Sequence, residues 1–95
     1  MVQPSVVPVQ RERIVARRLG AEMVLLNTET EAYFTINSVG ARIWELIDGQ
    51  RTVSLIVAEL LAEYEVPEAE LQADIDELLG EFAAKQMITW VDAPA

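Results

Sequence analysis

The spacing of apolar residues changes once along this chain, at Asn37, and that change limits the folds open to it. Before Asn37 the apolar residues follow a period of two. Met23 and Leu25 fall on one side of an extended segment, Val24 and Leu26 on the other, and Phe34 and Ile36 alternate with Tyr33 and Thr35. After Asn37 the spacing is helical, as in Val39, Ile43, Trp44 and Ile47. Strands first and helices second is the order of an α+β domain, with a sheet covered on one side by helices.

The boundaries follow from turn and cap residues. Three strands are expected at about Arg11 to Arg18, Glu22 to Asn27 and Ala32 to Ile36. Leu19-Gly20-Ala21 and the polar run from Asn27 to Glu31 form the turns, so an antiparallel meander is the economical topology, with the third strand at an edge. Asn37 caps a helix from Ser38 to Asp48, stopped by Gly49. Thr52 caps a second helix that runs to about Glu65. Pro67 opens a third, with Leu71, Ile75, Leu78, Leu79 and Phe82 on its apolar stripe. Met87 to Val91 is apolar and fits either a short strand or a segment lying over the core. The expected product is a three-stranded antiparallel sheet followed by three helices, winged-helix-like in size. Residues 1–10, with Pro4 and Pro8, are read as a flexible N-terminal arm, 11–91 as the domain and 92–95 as a C-terminal tail.

Composition narrows function. The 95 residues suffice for one core, and 52% of them are hydrophobic, so burial can outweigh ordering entropy. There is no Cys and no His, which removes disulfides, thiolate nucleophiles, imidazole bases and the usual zinc ligands. No oxygen-rich cation loop is present, no cofactor is implied, and no catalytic activity is expected. No apolar run is long enough to span a bilayer, and MVQPSVVPVQ lacks the basic and apolar regions of a secretion signal, so a cytoplasmic location is expected. The net charge is −9, yet Arg11, Arg13, Arg17 and Arg18 are four of the seven basic residues. From Glu59 through Glu81 there are nine carboxylates and no Lys or Arg, a field that repels phosphate backbones and anionic membranes.

Two surface features admit a functional reading. Both faces of the predicted sheet carry apolar side chains and its third strand has a free edge, so either loops and the arm cover them or a partner peptide adds a strand along Ala32, Tyr33, Phe34, Thr35 and Ile36. On the third helix Glu70, Asp74, Glu77 and Glu81 form an acidic stripe beside the apolar one. It is either a solvated face or a selector of basic residues in such a peptide. Trp44 and Trp90 are read as core fillers.

The segment from Val24 to Gly49 resembles the PqqD-like family. The family pattern is an apolar strand, a turn, an aromatic pair, Leu-Asn, a Gly, Ile-Trp and a closing Asp-Gly. Here these are Tyr33-Phe34, Ile36-Asn37, Gly40, Ile43-Trp44 and Asp48-Gly49. The resemblance runs over roughly residues 12 to 91. It implies a leader-peptide recognition element for ribosomally made, modified peptides, with the leader docked as an extra strand between the third strand and the third helix. By matching position it implies contacts at Ala32 to Ile36 and at Leu71, Asp74, Ile75, Leu78 and Leu79, and a domain that presents the precursor to a processing enzyme without doing chemistry itself. Asn27-Thr28-Glu29-Thr30 differs from the Tyr-Pro-Glu-Gly-like turn of the pyrroloquinoline quinone pathway. The aromatic pair and Ile-Trp are more similar to the lasso-peptide branch, where a separate cysteine-type leader peptidase is the partner. Glu31 stands where Gly is common. Two other readings fit an α+β domain of this size. A winged-helix DNA-binding regulator is opposed by the carboxylates of the third helix, whereas a dimerisation module pairing third-strand edges meets no such objection.

Overall fold

The computed structural model describes residues 5–92. In chain order the elements are β1 Val6–Gln10, β2 Ile14–Leu19, β3 Glu22–Asn27, β4 Tyr33–Ile36, α1 Ser38–Leu46, α2 Val53–Glu63, α3 Glu68–Ala84 and β5 Ile88–Asp92. Strands β2, β3 and β4 form the expected antiparallel meander in that order, and β1 and β5 form a separate two-stranded antiparallel ribbon. The α+β class and the sheet-then-helices order are as read from the sequence. No helix among the described residues is long and apolar enough to cross a membrane.

Local chemistry sets each turn. Leu19 pairs with Glu22, which leaves Gly20 and Ala21 as a two-residue hairpin turn, and Gly20 takes the positive φ of 66° that such turns favour. Between β3 and β4 the Asn27 side chain folds the turn itself: its Oδ1 accepts from the backbone N–H of Glu29 at 2.9 Å and of Thr30 at 3.1 Å. Asn37 and Thr52 cap α1 and α2 as expected, accepting from Gly40 N–H and Leu55 N–H.

One face of the meander supplies Met23, Leu25 and Ile36 to the core. They meet Ile43, Trp44 and Ile47 from α1 and its C-cap, Ile56 and Leu60 from α2, and Leu71, Ile75, Leu79 and Phe82 from α3. Phe82 lies at the centre, edge-on to Phe34 at 5.6 Å and to Trp44 at 5.4 Å. Trp44 is a core residue, and Trp90 packs half-buried against the same cluster. Ion pairs tie the outside: Arg42 of α1 reaches Glu63 of α2 at 2.7 Å, and Arg18 of β2 reaches Glu45 of α1 at 2.7 Å.

Three expectations change. Residues 6–10 are not an arm that carries little of the fold. They form β1, pair with Ile88–Asp92, and bury Val7 and Pro8. Pro8 is tolerated because β1 has a partner on one side only and can spare an N–H on the other. This ribbon also settles Met87 to Val91, whose last residues lie in β5 while Met87 is buried beneath it. The arm's residues 1–4 and the tail's residues 93–95 lie outside the described residues. The first strand of the meander begins at Ile14, not Arg11, because Arg13 takes a φ of 72° and turns the chain out of the ribbon. Lastly, among the described residues neither the ribbon nor a loop covers the second apolar face of the meander: Leu19 is 61% and Tyr33 69% exposed.

Candidate functional site

Strand β4 is hydrogen-bonded to β3 along Tyr33 to Ile36, and no other strand among the described residues pairs with its outer edge. Helix α3 lies beyond that edge, and between them opens a groove of about 450 Å³. Phe34, Thr35 and Ile36 form one wall, Asp74, Glu77, Leu78 and Glu81 form the other, and Asn37, Val39, Gly40 and Ile43 of the α1 region line it between them.

The groove follows from the strand-to-helix junction. Asn37 is extended, with φ −80° and ψ −175°, so β4 ends in a conformation that lets its side chain cap α1 at once. Gly40 then brings α1 against both walls: a Cβ there would lie 3.0 Å from the Ile36 Cβ and 3.4 Å from Leu78 Cδ2. At the other end Lys85 holds its Nζ 5.5 Å from the Phe34 ring centroid.

The expected contact residues divide into two groups. Phe34, Thr35, Ile36, Asp74 and Leu78 line the groove. Tyr33 is on the opposite, exposed face of the sheet, and Ala32 lies in the turn, packed against the core. Leu71, Ile75 and Leu79 are 5%, 0% and 0% exposed. They anchor α3 to the core, and in this structure the groove is lined by the next stripe of the helix. Of the acidic stripe, Asp74, Glu77 and Glu81 reach the groove and Glu70 does not. The α1 residues Asn37, Val39, Gly40 and Ile43 were not expected in the site, although a glycine inside a helical pattern is itself a sign of close approach.

The Arg42 guanidinium, hydrogen-bonded to Glu63, holds that carboxyl below the usual glutamate range, and its own pKa is raised in return. The backbone N–H of Gln50 lowers Asp48, with Arg51 adding to the effect. No group of three or more His, Cys, Asp or Glu among the described residues is placed to hold a metal. The site thus combines an unpaired strand edge with apolar walls and exposed carboxylates.

Residues 22–88 match the family described as coenzyme PQQ synthesis protein D (PqqD). The chain belongs to the PqqD family. Two solved structures resemble the chain. One is described as TbiB1 in complex with the TbiA(beta) leader peptide: identity is 30%, the TM-score is 0.76, and the match covers 84% of this chain and 93% of that one. The other is a lasso peptide synthetase B1 complexed with the leader peptide, at 23% identity and a TM-score of 0.75, covering 86% and 96%. No curated protein matches the chain. The PqqD match takes in β3, β4 and all three helices, and so the whole groove.

Proposed function

We propose that this PqqD-family chain is a non-catalytic recognition domain for the leader of a ribosomally synthesised precursor, of the lasso-peptide type. The leader adds as a fourth strand on β4, beneath α3. The domain then presents the bound precursor to a separate processing enzyme, a cysteine-type leader peptidase, in the cytoplasm where the precursor is made. The observation that carries this reading is the unpaired edge of β4 facing α3 across an open groove. The two similar structures, both described as complexes with leader peptides, support it.

The energetics suit the mode. A four-residue edge strand turns the N–H and C=O of alternate residues outward, room for about four backbone hydrogen bonds at about 0.5–1.5 kcal/mol each. One or two apolar side chains against Phe34, Ile36 and Leu78 add about 1.5–3 kcal/mol each. After peptide ordering this leaves roughly micromolar affinity. A second copy of the chain would fit the same edge, but it would bring another −9 of charge against an acidic wall.

The test is fluorescence polarisation with a labelled leader peptide from a lasso precursor, N-methylated at alternate residues in two registers. Strand addition requires that one register abolishes binding and the other spares it, and that Leu78→Glu weakens both the parent and the spared peptide. Equal tolerance of both registers would sink the strand-addition reading. A particle that doubles in size with concentration and ignores the leader would favour self-pairing.

A further inference from the structure

The groove is not neutral, and its charge is arranged in a way that specifies its occupant. Asp74, Glu77 and Glu81 recur at i, i+3 and i+7 on the α3 wall, one row spanning about 10.5 Å along the helix. Four of the sixteen carboxylates have cationic partners: Glu45 meets Arg18 and Arg42, Glu63 meets Arg42, and Asp48 and Glu59 meet Arg51. Among the described residues no ion pair takes up Asp74, Glu77 or Glu81. Like charges at helical spacings of three and four work against the helix that carries them, and a cation from outside relieves that cost.

Beneath the carboxylates the groove is apolar, with Leu78, Val39 and Ile43 between α3 and α1. An apolar floor under an acidic rim fits one kind of side chain, a long aliphatic stem ending in a positive charge, which lies along the floor and reaches the rim. A strand docked on β4 points every second side chain into the groove at a spacing of about 6.6 Å, so two successive groove-facing residues fit within the acidic row. Lys85, over Phe34, is the groove's cationic end.

We propose that the groove selects a basic strand: the segment bound on β4 carries Lys or Arg at successive groove-facing positions, read by Asp74, Glu77 and Glu81. This rests on the reading of the groove as a peptide site and adds the chemistry of the peptide it prefers.

The experiment is selection of a randomised peptide library, displayed on phage at about 50 mM salt so that screening is weak, against three folded forms of the full chain. These are the wild type, the triple variant Asp74→Asn, Glu77→Gln, Glu81→Gln, and a control triple variant Glu12→Gln, Glu22→Gln, Glu65→Gln. The control changes net charge equally on exposed residues outside the groove. Wild type and control are expected to enrich peptides with Lys or Arg at alternating positions. The groove variant is expected to enrich apolar strands without that bias, and synthetic wild-type binders are expected to lose about tenfold or more in affinity for it. Binders without charge bias from the wild type, or a bias lost equally in the control, would overturn the proposal while leaving a peptide groove intact. Failure of all three forms to enrich any peptide sensitive to Leu78→Glu would overturn the peptide-site reading itself.

Discussion

Asn27 Nδ2 donates to the Gln86 carbonyl oxygen at 2.8 Å, across 59 residues of sequence. The bond ties the turn that leads into β4 to the residue just past α3, so the two walls of the groove share one buried side chain, 2% exposed. Asn27→Ala removes this bond and the two that fold the turn, leaving buried partners unmatched. The expected loss is about 2–3 kcal/mol in a urea titration. Asn27→Asp keeps the acceptor for Glu29 and Thr30 but sets a carboxylate oxygen against the Gln86 carbonyl. It should therefore weaken peptide binding even where the domain stays folded.

Gly40 is the second determinant of groove width. An alanine there gains about 1 kcal/mol of helix propensity but meets the Cβ of Ile36 at 3.0 Å, an atom fixed to a strand and unable to swing aside. Overpacking of this kind costs about 1–3 kcal/mol, so Gly40→Ala is expected to be destabilising by about 1 kcal/mol net. Because the displaced residues, Ile36 and Leu78, line the groove, peptide affinity should fall further than stability does. Unchanged affinity would show that α1 does not set the groove.

Glu31 takes a φ of 65° in the connection between β3 and β4. A non-glycine residue in the left-handed region costs about 1–2 kcal/mol, and the extra chain entropy of a glycine returns about half of that. Glu31→Gly is thus expected to stabilise the domain by about 0.5–1 kcal/mol, read as a higher urea midpoint at unchanged slope.

Acid should weaken the link between α1 and α2. Glu63 has a folded-state pKa below its unfolded value because Arg42 hydrogen-bonds its carboxylate, so the unfolded chain binds the proton more readily. Its stabilising contribution is complete above the ordinary glutamate range and is lost as pH falls through the depressed folded value. The stability difference between wild type and Glu63→Gln should be constant from neutral pH down to about 5 and shrink below about 4. A difference that grows on acidification would contradict the assigned cause.

Much of this molecule could be read locally. The caps at Asn37 and Thr52, the Gly20 turn and the β2-β3-β4 meander depend on residues a few positions apart, and the structure places them where spacing and turn chemistry do. The ribbon of β1 and β5 could not be read this way. Its partners are Val6 and Asp92 at one end and Gln10 and Ile88 at the other, and each strand alone is a short apolar run, one of them interrupted by Pro8.

The division of labour on α3 was equally out of reach. Leu71, Ile75, Leu78 and Leu79 share one broad apolar stripe, but only Leu78 faces the groove. Periodicity determines that a helix has an apolar side. How that side is shared between a core and a cleft depends on the rotation of the helix against its neighbours, which packing around Phe82 and the tether from Asn27 to Gln86 decide. The sequence by itself determined the elements, their caps and their charges, because those arise from short-range sterics and hydrogen bonds. Tertiary structure alone decided which side chains stand beside the open edge of β4, because a buried contact can be met by residues at any distance along the chain.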